Sequence, residues 1–237
     1  LVTADRHAFF KFMVKSVAER HGLRATFMPK PFSHLTGNGC HTHLSLWNEA
    51  GANLFEGDAD LGLSATAYAF LGGLIAHAPA LTAIVNPTVN SYKRLNAPVT
   101  VSGATWSPNT ISYGGNNRTH MVRIPGPGRI ELRLPDGAAN PYLMPAAILA
   151  AGLHGIETQA YPGQRLDIDM YVEGHTVDAP QLPLNLLDAV RALEADTTLM
   201  DGMGAAAAAS FASFKRAEWA DYKSQLTDWE RRTTLDC

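Results

Sequence analysis

Two histidines and a serine alternate with other residues in segment 41–47, which reads HTHLSLW. The alternation predicts a β-strand, in which successive side chains point to opposite faces. His41, His43 and Ser45 would then share one face, and the side chains between them would form the packing face. Two imidazoles and a hydroxyl in a row suit a metal ion or a phosphate group. The alternative is a pair of histidines that hydrogen-bond to neighbouring groups.

A second alternation occupies residues 129–134, where Arg129, Glu131 and Arg133 are separated by aliphatic residues. A carboxylate between two guanidiniums on a half-buried strand is costly unless something compensates for it. One interpretation is a ladder of surface ion pairs. The other is a site that binds a cation and an anion together. Glu131 suits Mg²⁺ or Mn²⁺ as a hard oxygen ligand, and arginines suit bidentate binding of a carboxylate or phosphate.

Arginine is concentrated in the same part of the chain. Five arginines fall within forty positions, namely Arg94, Arg118, Arg123, Arg129 and Arg133. Glu131 is the only acidic residue between positions 61 and 135. A local positive cluster in a chain of net charge −3 favours a small anionic ligand, because a nucleic-acid surface would be more extended. A basic subunit interface is the alternative.

The remaining pattern predicts the elements that must position these residues. Apolar residues at helical spacing predict helices over 1–22, 60–78, 80–85, 141–160, 184–195 and from the alanine run at 205–209 to about 232. Further short strands are predicted over 24–28, 118–124 and 129–134, the last two flanking a PGPG turn. Residues 90–117 are rich in loop-forming residues. We expect one mixed unit of helices and strands.

The helix predicted over 1–22 is amphipathic. We expect its apolar side to face a core; that side carries Phe9, Phe10, Met13, Val14 and Val17. Residue 1 is leucine, and the segment lacks the charge, apolar run and cleavage site of a signal peptide. We therefore expect the chain to be part of a longer one.

Composition narrows the function classes. Charged residues make up only 17% of the 237 residues, so we expect part of the surface to be covered by other subunits or by further chain. The slightly acidic balance argues against a nucleic-acid or anionic-lipid partner. No apolar run approaches the roughly 20 residues of a membrane helix. The cysteines, Cys40 and Cys237, form no disulfide framework, so we expect a reducing, cytoplasmic compartment.

Three rival motifs fit poorly. The HxH pair followed by Glu49 is similar to a cupin metal motif, but the glutamate is too distant and no third histidine follows at the required spacing. A phosphate-binding GxxxxGK[ST] loop is absent from the sequence. The GxSxG elbow of serine hydrolases is absent as well.

Three segments in order resemble the catalytic domain of glutamine synthetases. They are residues 27–46 (FMPKPFSHLTGNGCHTHLSL), 86–95 (NPTVNSYKRL) and 117–143 (NRTHMVRIPGPGRIELRLPDGAANPYL). The tail, with Glu218-Trp219 and the later Thr227–Glu230, fits the C-terminal helix of that family. The resemblance therefore covers essentially the whole chain.

The resemblance implies an α+β fold, with an antiparallel sheet backed by helices. It implies that residues 1–237 are a C-terminal part of the catalytic domain, with the N-terminal domain and the domain's first part upstream. The implied reaction is ATP-dependent ligation of glutamate to ammonia through γ-glutamyl phosphate, with Mg²⁺ or Mn²⁺. It also implies a homo-oligomer of stacked rings that share active sites. Because further metal-binding glutamates would lie upstream, the chain alone is expected to be inactive.

The family's metal and nucleotide contacts map onto the first two motifs described above. By resemblance, His41 and Glu131 would be ligands of the metal that bridges the ATP phosphates. His43 and Ser45 would contact ATP, and Arg129 would lie near the nucleotide.

The glutamate and phosphoryl contacts map onto the glycine loop and four arginines. Gly37 would contact the glutamate backbone, and Arg94 and Arg133 would hold glutamate or the transferring phosphoryl group. Arg118 and Arg123 would neutralise phosphates and so contribute to ATP binding. Arg118 would lie closest to the phosphoryl being moved, which makes Arg118 and Arg94 the implied catalytic residues.

Two departures from the family pattern bear on the amine. Glutamine synthetases carry a flap glutamate that binds ammonium shortly after the NSYKRL motif, but residues 96–103 contain no acid. The next stretch, residues 104–137, is longer than the usual spacing and resembles the branch of γ-glutamylmethylamide synthetases and similar type III-like enzymes. A loop without the acid, with Trp106 and Tyr113 nearby, could accept an alkylamine such as methylamine. The lysine that often lies between the paired strands is replaced by the PGPG turn, which puts one ATP contact in doubt.

Three hypotheses therefore stay open. The first is a ligase of glutamate with ammonia or a small amine such as methylamine. The second is a family member that keeps the fold but has no catalytic activity. The third is an unrelated metal-binding module built on His41 and His43.

Overall fold

A computed structural model describes residues 1–97 and 107–236. In chain order, its helices and strands are α1 (Val2–Arg20), β1 (Thr42–Leu44), α2 (Ala65–Ala76), α3 (Ala78–Val85), α4 (Ser91–Leu95), β2 (Tyr113–Gly114), β3 (Val122–Gly126), β4 (Arg129–Leu132), α5 (Leu143–Glu157), α6 (Leu186–Ala195), α7 (Thr197–Gly202), α8 (Ala205–Ser224) and α9 (Asp228–Thr234). The predicted α+β class is confirmed.

The four strands form one sheet in the order β1-β4-β3-β2. The β1–β4 and β3–β4 pairs are antiparallel, as predicted, whereas β2 runs parallel to β3. Gly126 pairs with Arg129, so Pro127 and Gly128 alone form the turn between β3 and β4. The sheet is therefore mixed. Its parallel edge strand, β2, comes from the loop-rich stretch that precedes residue 117.

One face of the sheet is covered by helices. Ile130, Leu132 and Leu134 are completely buried, as the alternation in segment 129–134 predicts. They join a core to which α2, α3, α5 and α6 contribute buried aliphatic side chains. Within that helical layer, α2 packs against α5 and α3 packs against α6. The other face of the sheet carries the polar members of the same alternation.

Helix α1 differs from its prediction. Its bounds agree, but Phe9, Phe10, Met13 and Val17 are all exposed, and Ala4 is the buried residue of the helix. The periodicity correctly predicts a helix with an apolar face. It does not show that the other described residues cover that face, and in this structure they do not.

Other predicted elements are shifted or shortened. The strand predicted over 24–28 is wrong, because these residues pair with no neighbouring strand. The segment runs into Pro29 and Pro31, which lack the N–H that a sheet requires. The strand predicted over 41–47 shortens to β1, and that over 118–124 begins only at Val122. A short helix, α4, forms inside the stretch predicted as loop.

Among the described residues, no single helix is long and apolar enough to cross a membrane. The adjacent helices α2 and α3 reach that length and hydropathy together, but they bend by 76° at their junction.

Candidate functional site

The polar face of the sheet brings three strands together around one carboxylate. His43 of β1 and Arg123 of β3 both lie directly opposite Glu131 of β4. Residues opposite each other in antiparallel strands share a face. The register therefore places an imidazole, a carboxylate and a guanidinium in one row across the sheet.

Glu131 is 3% exposed and is held by two arginines. Its Oε2 accepts a hydrogen bond from Arg123 Nη1 at 2.7 Å, and its Oε1 accepts one from Arg133 Nη1 at 3.0 Å. Burial alone would raise the pKa of the Glu131 carboxyl. The hydrogen bond from Arg123 and the charge of Arg133 outweigh burial, so the net pKa lies below its usual value. Glu131 is therefore ionised at neutral pH.

His41 lies beside this carboxylate. Its Nδ1 is 3.3 Å from Glu131 Oε1 and 3.3 Å from Arg133 Nη1. Burial and then the charges of Arg133 and Arg94 lower the pKa of His41 to about 4. A neutral imidazole keeps a lone pair on one ring nitrogen, which is the form that ligates a metal ion. His41, Arg123, Glu131 and Arg133 are called the sheet cluster below.

The sheet cluster carries more positive than negative charge. Two guanidiniums contact a single carboxylate. Arg118 adjoins the cluster, since its backbone oxygen accepts a hydrogen bond from Arg133 Nε at 3.1 Å, and its side chain is exposed. Ser45 and Arg129, at the next positions of the two alternating segments, are exposed as well. This arrangement suits an anion that reaches the sheet from solvent.

Arg94 lies beneath the glycine loop and is 3% exposed. Its guanidinium donates to Leu134 O at 2.9 Å and to Arg133 O at 3.2 Å, which ties α4 to the end of β4. A Cβ on Gly37 would lie 2.7 Å from Pro29 O and 3.0 Å from Arg94 Cγ. Only glycine fits this approach, so the loop rests directly on the Arg94 side chain.

A family model described as "Glutamine synthetase, catalytic domain" matches residues 1–234. The chain belongs to the glutamine synthetase family. Named relatives agree with this assignment. A glutamine synthetase of Rhizobium leguminosarum bv. phaseoli is 65% identical over the whole chain, which covers 55% of that protein. A glutamate–methylamine ligase of Methyloversatilis universalis is 43% identical, again over the whole chain and 54% of the relative.

Solved structures from this family are closer still. The structure named "GmaS/ADP complex-Conformation 1" is 87% identical and superposes with a TM-score of 0.95, covering 100% of this chain and 55% of that one. A second structure, "Apo GmaS without ligand", is 83% identical with a TM-score of 0.93 over the whole chain and 54% of its own. The chain thus spans about half the length of the relatives that it matches.

The glutamine synthetase resemblance predicts that His41 and Glu131 ligate a divalent metal, and their donor atoms fit a share of such a site. A carboxylate oxygen and a neutral imidazole nitrogen lie side by side. The carboxylate suits Mg²⁺ or Mn²⁺, and of these two ions the imidazole favours the transition metal Mn²⁺. Within residues 1–97 and 107–236, no group of three or more His, Cys, Asp or Glu side chains could hold a metal ion. The remaining ligands would therefore be phosphate oxygens, water or residues outside this set.

The structure brings most of the predicted glutamine synthetase site residues to one face of the molecule. His43, Ser45, Arg118 and Arg129 are exposed around the sheet cluster, and Gly37 lies in the loop above Arg94. Their roles as ligands stay predictions. Residues 98–103 of the flap segment, and Trp106, lie outside the described residues.

Trp47 was missed by the sequence analysis. It is 61% exposed, and its Nε1 donates to Ser45 Oγ at 2.9 Å. The exposure pattern of segment 41–47 continues through Trp47, so the alternation that identifies His41, His43 and Ser45 would also have identified the tryptophan.

A second group of titratable side chains lies in the helical layer. His77, between α2 and α3, accepts or donates through both ring nitrogens: Nδ1 lies 2.5 Å from Asp196 Oδ2, and Nε2 lies 2.9 Å from His154 Nδ1. Asp196 Oδ1 also accepts from Leu199 N and so caps α7. His77, His154 and Asp196 are called the helix cluster below.

A cavity of about 760 Å³ lies elsewhere, lined by Tyr68, Tyr113 and Tyr161 among others. Tyr113, which the sequence analysis places near the amine, is buried and lines this cavity, whereas none of the residues predicted to bind ATP, glutamate or metal does. Its size alone does not make it the centre of the chemistry.

Proposed function

We propose that the polypeptide containing this chain ligates the γ-carboxylate of glutamate to a small amine in an ATP-dependent reaction. The observation that carries the proposal is the sheet cluster, in which one buried carboxylate is held by two guanidiniums on an accessible face. In this reaction the γ-carboxylate attacks the terminal phosphorus of ATP and releases ADP. The amine then attacks the acyl phosphate and releases phosphate.

The arginines neutralise charge during phosphoryl transfer. Arg133 is 2% exposed, and its contact with Glu131 fixes the position of its guanidinium before any substrate arrives. Preorganised charges in a poorly solvated site stabilise developing negative charge without reorganising. The side chain of Arg118 is exposed, and in this proposal it would contact the phosphoryl group from the solvent side. Held by His41 and Glu131, a divalent metal would neutralise phosphate oxygens.

We propose that Trp47 forms one wall of the nucleobase site. The hydrogen bond from its Nε1 to Ser45 Oγ fixes the edge of the indole next to a residue predicted to contact ATP. An exposed aromatic face adds stacking energy for a nucleobase. The ADP complex of the 87% identical GmaS supports nucleotide binding by this fold.

We propose methylamine as the preferred amine and ammonia as the second candidate. Residues 96–103 contain no acid, so no carboxylate of this segment attracts ammonium. The similarity to the glutamate–methylamine ligase and to GmaS supports methylamine. The relatives named glutamine synthetase, at 65% and 62% identity, favour ammonia.

The deciding experiment measures ADP release by the full polypeptide with glutamate, ATP and Mg²⁺ or Mn²⁺. We expect release to require both glutamate and an amine, with kcat/KM for methylamine about tenfold or more above that for ammonia. Higher kcat/KM for ammonia would select the second candidate. No ADP release with either amine would reject the ligase and favour a family member without catalytic activity.

We further propose a cytoplasmic homo-oligomer of stacked rings. The low charged fraction of the sequence and the exposed apolar face of α1 support buried contacts beyond this chain. Light scattering of the full polypeptide at micromolar concentration should give a multiple of the protomer mass. A monomeric mass would contradict the oligomer, and fractionation of cells tests the compartment.

A further inference from the structure

Lys11 is an unusual residue on a helix that is otherwise mostly exposed. Its Nζ donates to Gly137 O at 2.6 Å, a contact between residues 126 positions apart. The same ammonium lies 5.3 Å from the centre of the Phe27 ring. Burial lowers the pKa of Lys11, so its placement has a desolvation cost that a solvated lysine would avoid. A half-buried ammonium that donates to one carbonyl oxygen of a distant segment indicates that Lys11 helps to position that segment.

The Gly137 peptide connects Lys11 to the glycine loop. Its N–H donates to Asn38 O at 3.2 Å, while its own carbonyl accepts from Lys11. A Cβ on residue 137 would lie 2.7 Å from both Asn38 Nδ2 and Phe27 O, so only glycine permits this approach. The two hydrogen bonds involve the peptide groups on either side of the Gly137 Cα, so Lys11 and the loop hold the same residue from two directions.

The turn that contains Gly137 is itself firmly placed. Asp136 is fully buried, accepts from Asn86 Nδ2 at 3.0 Å and from Ala138 N at 2.9 Å. Gly39 pairs with Asp136, and Cys40 N donates to Pro135 O at 2.9 Å. The loop that carries Gly37 is therefore fastened to this turn at Asn38 and at the two residues that follow it, Gly39 and Cys40.

We propose that Lys11 is a positioning residue for the Gly37–Gly39 loop and, through it, for the subsite of the amino-acid substrate. The identification of this substrate as glutamate rests on the proposed function. The claim that Lys11 holds the loop in place does not depend on that function. Lys15 is a matched control, because it lies one turn further along α1 and 6.0 Å from the same Phe27 ring. Lys15 is exposed, and no hydrogen bond joins it to the turn.

The first arm of the test is hydrogen exchange in the full polypeptide. We expect Lys11→Met to speed exchange of the Asn38, Cys40 and Gly137 amides about tenfold, since one supporting hydrogen bond is lost. Lys15→Met should leave these amides within twofold of wild type, and Lys11→Arg should restore most of the protection. If Lys11→Met does not fold, Lys11→Gln, which keeps a shorter donor, replaces it.

The second arm is kinetic. We expect Lys11→Met to raise KM for glutamate about fivefold to tenfold while KM for ATP stays within twofold. Unchanged exchange and unchanged glutamate KM would overturn the proposal. An equal rise in both KM values, with faster exchange throughout the protein, would show a general structural role and also overturn it. A wild-type protein without ADP release would reject the ligase function, whereas the exchange arm would still decide whether Lys11 holds the loop.

Discussion

The sheet cluster and the helix cluster use the same pair of groups, a carboxylate next to an imidazole. In the sheet cluster, His41 Nδ1 lies 3.3 Å from Glu131, and two guanidiniums hold the same carboxylate. In the helix cluster, His77 Nδ1 lies 2.5 Å from Asp196, and the second ring nitrogen is bonded to another imidazole. Both ring nitrogens of His77 and both carboxylate oxygens of Asp196 therefore have hydrogen-bond partners.

The difference shows how a binding site can be told from a structural contact. The sheet cluster has more cations than anions, and the exposed residues His43 and Arg118 border it. The helix cluster joins the α2–α3 junction to α5 and to the start of α7, and its aspartate also caps that helix. Solvent access does not separate the two clusters, because the Asp196 side chain is 16% exposed and that of Glu131 is 4% exposed. We infer that the surplus of guanidiniums over carboxylates marks function, whereas side chains that hydrogen-bond to one another between helices mark stability.

The largest expected effect comes from Glu131→Gln in the full polypeptide. This change removes the negative charge that buried Arg133 and half-buried Arg123 both contact, so we expect the free energy of unfolding to fall by about 3–5 kcal/mol. Loss of the carboxylate proposed to bind the metal should lower ADP release on the order of a thousandfold. Denaturant titration and the ADP assay measure the two effects. Undiminished turnover would remove Glu131 from the site.

Arg123→Lys tests whether the fork of the guanidinium matters beyond its charge. Arg123 donates a hydrogen bond to Glu131 through Nη1. It also donates to Asn116 Oδ1 through Nε, at 2.8 Å, and through Nη2. Lysine keeps the charge but cannot reach both partners. We expect KM for ATP to rise about tenfold and KM for glutamate to change less. The same values as wild type would mean that charge alone suffices.

Asp196→Asn is the matching change in the helix cluster. Asparagine still caps α7, so the substitution chiefly removes the charge from the bond to His77. We expect a loss of about 1–2 kcal/mol in unfolding free energy and unchanged kinetic constants. A selective fall in kcat at full stability would contradict the division between the two clusters.

The smallest expected effect concerns His120, a fully buried imidazole that hydrogen-bonds to Ser112 Oγ at 3.0 Å. Burial lowers the pKa of His120 in the folded state below its ordinary value of 6.5. The unfolded chain therefore binds the extra proton first as the pH falls below about 6.5, and stability decreases. The slope cannot exceed about 1.4 kcal/mol per pH unit for one group. Denaturant titrations from pH 7 to 5 should show a smaller slope for His120→Gln, and equal slopes would refute this.

The alternating segments predict the sheet cluster well. The two-residue period in 41–47 and 129–134 separates buried Leu132 from polar Glu131 with no further information. The charge surplus is also visible, because Glu131 is the only acid in a long basic stretch. Local periodicity depends only on neighbouring residues, so it can be recognised without knowledge of the tertiary structure.

The contacts between distant segments are what the sequence analysis could not predict. Nothing near Lys11 indicates that it reaches Gly137, and His77 gives no local sign of Asp196. The exposed face of α1 is a related case, since a hydrophobic period predicts a face but not its partner. The failed strand at 24–28 likewise depended on a pairing partner that the fold does not supply.

The register of β1 has a consequence for how the protein folds. The β3–β4 hairpin closes over a two-residue turn, so it forms from local contacts. His43, in contrast, pairs with Glu131, which lies roughly ninety residues further along the chain. Closing a loop of this length costs conformational entropy, and that cost precedes the stabilisation that strand pairing provides. On a ribosome, His41 would emerge long before Glu131 is made. The carboxylate–imidazole pair is therefore assembled only once the last strand of the sheet has been synthesised, so no binding activity that needs the pair can appear before then.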